Sequence, residues 1–317
     1  MSDYILSDAL QRAVDIALYL NRPLLLCGEP GTGKTTLAKE LARRFSDKAP
    51  SDSAAFYPKP LIFNTKTTSS ATDLFYSYDA LSRLRDAYAK SDSSVENYID
   101  LNALGKAIVL KHSLQSPSIE KLKALKLFQE QNALSPYLEK PVSSIVLIDE
   151  IDKAPRDFPN DILNEIENYQ FDIREMKTGV PPVDNDAKIF VIMTSNNEKS
   201  LPDAFLRRCV FHYIDFPKDQ LMDILKVHFP DWKNEDNIKS VTAKFNQLRD
   251  LPLNKKPATA EYINWVQYLA QQGILNNTNT PFAKLYPEDQ EKWKSSLGIL
   301  FKNKNDYNQA LEALVKM

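Results

Sequence analysis

The sequence predicts an α/β fold, in which helices cover both faces of a five-stranded parallel sheet and an all-α domain follows. Five short apolar segments are mostly continuous rather than alternating in hydrophobicity, which is typical of strands that are buried on both faces. A glycine-rich loop leads from the first segment into a helical stretch, and strand patterns largely disappear from Pro217 onward. The predicted strands are residues 23–27, 61–64, 145–148, 189–194 and 211–214.

The length of the chain predicts two domains. Its 317 residues exceed one typical hydrophobic core, and a hydrophobic content of 43% is sufficient for two. We place the α/β domain at residues 1–216 and an α-helical domain at residues 217–317. Amphipathic helical spacing in the second domain recurs at residues 218–228, 235–249, 259–272 and 288–316.

Helices also surround the predicted strands. Apolar residues at helical spacing over residues 8–20, with Ser7 as the N-cap, predict a helix before the first strand. The connection between the second and third strands is longer than a simple crossover needs, and it has helical patterns at residues 71–90 and 119–131. We therefore predict a helical insertion at about residues 85–140.

The glycine-rich loop has the pattern of a phosphate-binding loop. Residues 28–35 read Gly-Glu-Pro-Gly-Thr-Gly-Lys-Thr, which matches G-x-x-x-x-G-K-S/T between a strand and a helix. Glycines let backbone N–H groups turn toward a phosphate, Lys34 is expected to reach its β and γ groups, and Thr35 to coordinate Mg²⁺. An ordinary tight turn before a helix is the alternative. The predicted nucleotide-binding residues are Gly28, Glu29, Pro30, Gly31, Thr32, Gly33, Lys34, Thr35 and Thr36.

Two carboxylates, Asp149 and Glu150, directly follow the third predicted strand. Open α/β sheets bind ligands at the carboxyl ends of their strands, so both acids are expected near the loop. Asp149 is expected to hold Mg²⁺ directly or through water, and Glu150 to orient and polarise the water that attacks the γ-phosphate. A strand that ends in solvated acids is the alternative.

Polar side chains also border the last two strands. Asn196 follows the fourth strand, where its amide can hydrogen-bond the attacking water or the γ-phosphate, and an Asx turn is the alternative. Arg207 and Arg208 come just before the fifth strand. An arginine given to a nucleotide on a neighbouring subunit stabilises charge that develops during phosphoryl transfer, whereas an exposed basic pair at a helix end is the alternative.

Composition narrows the classes of protein. A formal net charge of −2 gives no basic excess, which disfavours a nucleic-acid partner. The first residues lack the basic and apolar regions of a signal peptide, and no apolar run reaches membrane-spanning length, so we expect a cytoplasmic location and no membrane span. Cys27 and Cys209 are too few for a disulfide framework, and no zinc-binding spacing occurs, so both thiols are expected to be buried packing residues.

Four stretches, taken in chain order, resemble AAA+ ATPases and specifically the MoxR type. They are residues 28–35, 149–155, 194–196 and 201–208. The most distinctive, Asp-Glu-Ile-Asp-Lys-Ala-Pro at 149–155, is similar to the family's D-E-I-N-K-A, with Asp152 where asparagine is usual. Residues 72–80 and 256–261 resemble one MoxR branch in particular.

This resemblance implies a P-loop NTPase AAA+ core, with the five-stranded parallel sheet sandwiched by helices, followed by an all-α lid domain. It also implies ATP and Mg²⁺ as ligands, hydrolysis of ATP to ADP and phosphate, Asp149 and Glu150 as the Walker B pair, and Asn196 as sensor 1. Arg208 would be the arginine finger, with Arg207 as its competitor. Asn64 stands where many AAA+ proteins have a polar switch that restrains the catalytic glutamate, and an uncapped strand-end asparagine is the alternative.

The resemblance further implies a ring, expected to be a hexamer. MoxR-type ATPases are chaperones that remodel or activate partner complexes, often together with a von Willebrand factor A domain protein. The sequence departs from the family at sensor 2, where many relatives have an arginine and this chain has Ala260-Glu261. Lys255 or Lys256 is a candidate substitute, and lysines on a solvated turn are the alternative.

Three other functions stay open on the sequence. The first is a nucleotide-gated binding module with little turnover, and the second is an AAA+ motor acting on nucleic acid, which the neutral composition disfavours. The third is a GTPase, because residues 303–306 spell the guanine-binding pattern N-K-x-D. They follow a helical stretch at 293–301 rather than a core strand, so we expect no guanine-binding role.

Overall fold

The computed structural model describes residues 4–48, 55–89, 93–129, 132–196, 198–230, 235–275 and 290–316. The chain divides into two compact units. The sheet unit, as we call it, consists of residues 6–27 and 34–213. The helical unit consists of residues 4–5, 28–33 and 214–316 as far as they are described. The domain boundary at residue 216 stays a prediction.

The strands are, in chain order, β1 (Leu24–Gly28), β2 (Leu61–Asn64), β3 (Tyr76–Tyr78), β4 (Ile99–Leu101), β5 (Ser144–Asp149), β6 (Phe171–Ile173), β7 (Thr178–Val180), β8 (Ile189–Ser195) and β9 (Val210–Ile214). The α-helices are α1 (Asp8–Leu20), α2 (Lys34–Lys48), α3 (Ala80–Tyr88), α4 (Ala103–His112), α5 (Lys126–Gln129), α6 (Phe158–Asn168), α7 (Asp203–Leu206), α8 (Leu221–His228), α9 (Glu235–Arg249), α10 (Thr259–Gln271), α11 (Gln290–Leu300) and α12 (Lys304–Lys316).

Five strands form one sheet in the order β2-β5-β8-β1-β9. β5 pairs in parallel with β2 and β8, and β8 also pairs in parallel with β1. All residues of β1 and β8 are buried, which explains why their sequences are continuously apolar. The predicted fold class is confirmed, since each predicted strand corresponds to one strand of this sheet.

The helix predicted over residues 8–20 is confirmed as α1. The hydroxyl of Ser7 accepts a hydrogen bond from the backbone N–H of Leu10 at 3.2 Å, so Ser7 caps the helix as expected. The buried residues Ala13, Val14 and Ala17 recur at helical spacing, and they place one face of α1 against the interior of its unit.

The helix predicted over residues 71–90 is wrong in its first half. A 3-10 turn at Ala71–Leu74 leads into β3, and α3 begins only at Ala80. β3 pairs antiparallel with β4, and Tyr76 lies opposite Leu101 with both side chains buried. Tyrosine at alternate positions suits a half-buried strand, and this short-range pattern outweighs the longer helical one.

The helix predicted over residues 119–131 is also shorter than expected. The chain forms 3-10 turns at Pro117–Ala124, and α5 follows. Residues 90–92 and 130–131, which belong to these two predicted helices, lie outside the described residues. α4, between β4 and β5, is buried along most of its length and supplies apolar side chains to the core of the sheet unit.

The helical unit contains α8 to α12 around a core of large side chains. Phe245, Tyr262 and Trp265 are fully buried there. The segments predicted at 218–228, 235–249 and 259–272 correspond to α8, α9 and α10. The single segment predicted at 288–316 is instead divided into α11 and α12, because the side chain of Asn303 accepts the backbone N–H of Asp306 at 2.9 Å and starts a new helix.

Across the described ranges, each helix is either too short or too polar to cross a lipid bilayer.

Candidate active site

The loop between β1 and α2 has the backbone geometry of an anion cradle. Gly31 and Gly33 have φ angles of +77° and +85°, which residues with a side chain rarely adopt. A Cβ atom on Gly33 would lie 2.8 Å from Cε2 of Tyr4, so a side chain has no room there. The hydroxyl of Thr32 donates to the carbonyl of Glu29 at 2.9 Å and closes the turn. These features fit a loop that presents backbone N–H groups to a phosphate.

The other predicted nucleotide-binding residues differ in exposure. Gly28 is buried at the end of β1, Glu29 is half-buried and Pro30 is exposed, while Thr36 is exposed on the first turn of α2. Lys34, which begins α2, is buried. Burial lowers the pKa of its ammonium group, and the charges of Asp149, Asp152 and Glu150 oppose that shift. Lys34 is therefore a cation in an environment that already holds negative charge.

Thr35 and Asp149 are in direct contact. The hydroxyl of Thr35 donates to Oδ2 of Asp149 at 2.9 Å and lies 3.2 Å from Oδ1. Hydroxyl and carboxylate oxygens are the hard donors that Mg²⁺ prefers, and this ion usually takes few protein ligands besides phosphates and water. The pair therefore fits a Mg²⁺ ion.

Thr194, which the sequence analysis did not single out, links Asp149 to Glu150. Its hydroxyl donates to Oδ1 of Asp149 at 2.5 Å and accepts the backbone N–H of Glu150 at 2.8 Å. Thr194 is buried in β8, next to the end of β5. The sequence offered one signal for this role, since Thr194 ends a predicted strand and is therefore expected at the same sheet edge as Asp149 and Glu150.

Glu150 is held at both carboxylate oxygens. Nδ2 of Asn196 donates to Oε1 at 3.2 Å, and Nζ of Lys153 donates to Oε2 at 2.5 Å. The backbone of Glu150 has a φ angle of +56°, in the left-handed region that is strained for a residue with a side chain. Strain of this kind persists only where neighbouring contacts enforce it, and here Thr194, Asn196 and Lys153 supply those contacts.

Asp152 ties the turn after β5 to the loop after β8. Its Oδ2 accepts backbone N–H groups from Asn196 at 3.2 Å and from Glu198 at 2.9 Å, and the residue is buried. Asp152 therefore fixes the backbone from which the Asn196 side chain reaches Glu150.

Arg207 and Arg208 are not brought to this site. They lie at the amino end of β9, where the backbone N–H of Val210 donates to the carbonyl of Pro23 at 2.8 Å. Pro23 precedes β1, a strand of five residues that spans about 16 Å, so the two arginines lie at the opposite edge of the sheet. Arg208 is exposed, with its Nε 3.5 Å from Oε1 of Glu167.

Asn64 lies at the sheet edge that carries the acids. It is the last residue of β2 and stands in register with Asp149, and the next residue, Thr65, donates its N–H to the carbonyl of Asp149 at 3.1 Å. The side chain of Asn64 is exposed. Its role as a switch stays a prediction.

The helical unit has an arginine that the sequence analysis missed. Arg249, at the end of α9, forms an ion pair with Glu29 of the loop. At the position expected for sensor 2, Glu261 instead accepts the backbone N–H of Ala258 at 3.2 Å and caps α10. Glu29 and Arg249 are 220 residues apart, so no local pattern indicates their contact.

The N-K-x-D stretch has a structural role. Asp306 is buried, and its carboxylate accepts backbone N–H groups from Asn254 at 2.8 Å and Lys255 at 2.9 Å. Asn303 donates to the same carboxylate. These contacts fix the loop before α10 and support the expectation that the stretch does not bind guanine.

The two cysteines differ in burial. Cys27, just before the loop, is buried, and Cys209 is half-buried. Desolvation raises the pKa of the Cys27 thiol and raises that of Cys209 to about 12. Both thiols are therefore protonated at neutral pH.

A known protein family includes this chain. The family model described as "ATPase family associated with various cellular activities (AAA)" matches residues 24–217. No curated protein matches the chain at a significant level. Among solved structures, the chain is similar to a mutant of RuvB from Thermotoga maritima, at 14% sequence identity and a TM-score of 0.45, over 88% of this chain and 67% of that one. Since the family model covers more than half of its length, the chain belongs to the AAA family of ATPases.

Proposed function

We propose that this chain is a Mg²⁺-dependent, ATP-hydrolysing chaperone of the MoxR type, which acts in the cytoplasm and remodels or activates a partner protein complex. One observation carries the enzymatic part of the proposal. Nδ2 of Asn196 lies 3.2 Å from Oε1 of Glu150, at the same sheet edge as the contact between Thr35 and Asp149. A carboxylate for water activation thus adjoins a donor pair suited to Mg²⁺.

ATP binds through its phosphates. Backbone N–H groups of residues 28–33 and the ammonium of Lys34 bind the β- and γ-phosphate oxygens. Thr35 and Asp149 would hold Mg²⁺, and the ion would supply positive charge to offset that of the phosphates. Thr194 keeps Asp149 in place through the hydrogen bond between their side chains.

Glu150 acts as the general base. Water attacks the γ-phosphorus, the carboxylate accepts a proton from that water, and the bond to the bridging oxygen breaks to give ADP and phosphate. Asn196 holds one carboxylate oxygen in position. The other oxygen accepts a hydrogen bond from Nζ of Lys153.

A neighbouring subunit completes the site. Arg208, with Arg207 as its competitor, stabilises the charge that develops on the γ-phosphate of the next subunit. The position of both arginines at the amino end of β9 supports this, because a strand length separates them from the carboxyl edge of their own sheet. We expect a ring, with a hexamer as its working form.

The chaperone part of the proposal rests on the resemblance of residues 149–155, 72–80 and 256–261 to MoxR-type ATPases. Through it we propose a client complex and a partner with a von Willebrand factor A domain. Nucleic acid is a disfavoured partner, since the formal net charge is −2.

The enzymatic proposal is tested by ATP binding and turnover in the assembled protein. We expect Glu150→Gln to bind ATP like the wild type and to lose more than about 100-fold in turnover, because the base is gone. Lys34→Ala should lose binding itself. As a matched control, Glu120→Gln changes an exposed glutamate that pairs with Lys123 on the surface of the 3-10 turns, and it should leave turnover unchanged. Wild-type turnover in Glu150→Gln contradicts the proposal.

The partner is tested by affinity capture with Glu150→Gln held in ATP, followed by mass spectrometry. Recovery of a von Willebrand factor A domain protein with a client complex supports the chaperone proposal. Recovery of nucleic acid, or of replication and repair proteins, supports a motor instead. ATP-dependent capture by a wild-type ring that has negligible turnover supports a nucleotide-gated binding module.

A further inference from the structure

Arg249 contacts the phosphate-binding loop from the end of α9. Both the arginine and loop residues 28–33 belong to the helical unit. Nη2 of Arg249 donates to Oε2 of Glu29 at 2.5 Å, and the two side chains are 8% and 40% exposed. The arginine's charge is therefore largely shielded from water, where an ion pair is less screened than at the surface.

Two further contacts hold the guanidinium in place. Nη1 donates to the carbonyl of Pro257 at 3.0 Å, and Cζ lies 3.6 Å from the centroid of the Phe216 ring. A planar cation that is fixed by a backbone acceptor and an aromatic face loses little freedom when it binds a carboxylate. Arg249 is thus pre-organised to meet Glu29.

The start of α10 packs against the same loop without a cation. A Cβ atom on Gly31 would lie 3.1 Å from Cβ of Ala258 and 3.5 Å from Cβ of Ala260. Only small side chains fit at this contact. The helical unit therefore brings an arginine to the loop from α9, while the sensor 2 position on α10 carries alanine.

We propose that Arg249 is a positioning residue for nucleotide binding, and that it acts through Glu29. This inference rests on the proposed nucleotide site. The phosphates of a bound nucleotide bring several negative charges to the loop, and the carboxylate of Glu29 on the same loop repels them. Arg249 neutralises this carboxylate and fixes the loop residue that carries it.

The electrostatic role makes a prediction that a purely structural role does not. Arg249→Gln removes the positive charge that faces the carboxylate of Glu29, so this carboxylate repels the phosphates more strongly and affinity for nucleotide should fall about 10- to 30-fold. In the Glu29→Gln background, Arg249→Gln should change affinity less than about 3-fold, because the carboxylate that Arg249 neutralises is gone. The double variant should therefore bind nucleotide more tightly than Arg249→Gln, although it also lacks the arginine.

The measurement is fluorescence anisotropy of the Mg²⁺ complex of a fluorescent ADP analogue, titrated with each full-length variant. Asp250→Asn is the matched control, because it changes one charge on the residue next to Arg249. Asp250 forms an exposed pair with Lys218 at 2.9 Å, and its variant should bind like the wild type.

The outcomes separate this inference from the proposed function. A wild-type protein that does not bind the analogue overturns the nucleotide site and the inference with it. A wild type that binds, with a double variant as weak as Arg249→Gln, overturns the inference alone. If Arg249→Gln does not fold, Arg249→Lys decides, because it keeps the charge. Lysine lacks the planar guanidinium that stacks on Phe216, so this variant should bind nucleotide less tightly than the wild type, and this loss should shrink in the Glu29→Gln background. An equal loss in both backgrounds contradicts the proposal.

Discussion

The side-chain hydroxyl of Thr194 lies 2.5 Å from Oδ1 of Asp149, and it joins the ends of two neighbouring strands, β5 and β8. The hydroxyl oxygen of Thr194 also accepts a hydrogen bond from the backbone N–H of Glu150 at 2.8 Å. A single buried hydroxyl therefore positions the residue proposed to hold Mg²⁺ and the backbone of the proposed base. Its loss affects both roles at once.

We expect Thr194→Val to lower ATP turnover about 10- to 100-fold. The backbone N–H of Glu150 and Oδ1 of Asp149 each lose their hydrogen bond to Thr194, at a cost of about 1–3 kcal/mol. Valine has nearly the same shape, so the fold should persist. Thr194→Ser keeps the hydroxyl and should restore most of the turnover. Steady-state assays of phosphate release compare the three proteins, and equal rates for wild type and Thr194→Val contradict the role that we give to this hydroxyl.

Removal of the Lys153 side-chain charge is expected to raise ATP turnover. Its ammonium lies 2.5 Å from Oε2 of Glu150, and both side chains are about 40% exposed, so the ion pair is worth less than about 1 kcal/mol. Lys153→Met frees the carboxylate to take a proton and should raise turnover about 2- to 5-fold. Lys140→Met, a change of an exposed lysine outside this contact, is the control. A fall in turnover for Lys153→Met indicates instead that the lysine positions the base.

The trans arrangement of the arginines is tested by mixing two inactive variants. Glu150→Gln lacks the base, and Arg208→Ala lacks the proposed finger. A ring that contains both proteins has interfaces where an intact Glu150 faces an intact Arg208, so the mixture should recover about a quarter of the wild-type turnover if assembly is random. Phosphate release is measured on the mixture and on each protein alone. No recovery in a mixed ring argues for action within one subunit, and the experiment repeated with Arg207→Ala identifies which arginine acts.

The stability of the helical unit should depend on pH through Asp306. Burial on its own raises the pKa of this carboxyl, but hydrogen bonds from Asn254, Lys255 and Asn303 outweigh that effect and lower it. A lowered pKa means that the charged form stabilises the fold above the unfolded value of about 3.9, and that this contribution is lost as pH falls through the lower folded value.

We therefore expect Asp306→Asn to melt at a lower temperature than the wild type at pH 7, and the difference to shrink below about pH 4. Thermal melting followed by circular dichroism across this pH range is the measurement. Asp219→Asn, on an exposed turn, is the control and should change neither value. A difference that stays constant down to pH 3 contradicts the assignment.

The parts of the fold that depend on local sequence could be predicted. β1, β5 and β8 are buried and continuously apolar, so their strands are visible without any tertiary information. The hydroxyl of Ser7 caps α1 by accepting the backbone N–H of Leu10, only three residues later, so this signal is also local. The antiparallel pair of β3 and β4 was missed because each strand has three residues, and so short an alternation is hard to recognise beside a longer helical pattern.

The site could be predicted as a set of positions but not as a set of contacts. Asp149, Glu150 and Asn196 follow their strands directly, so the topology of a parallel sheet brings them to one edge. The bond from Asp152 to the backbone of Glu198 spans 46 residues, and its donor is a main-chain group that carries no sequence signature. Such contacts depend on the exact course of the loops, which only the structure provides.

The state of the two thiols has a practical consequence for studying this protein. Maleimides react with thiolates, and a thiol whose pKa is raised by burial is inert to them at neutral pH. Cys27 and Cys209 both have raised pKa values, so neither needs to be replaced before labelling. A cysteine introduced at an exposed position such as Lys218 or Ala80 then takes up a dye or spin label selectively, and nucleotide-dependent motion can be recorded in a protein whose native cysteines are intact.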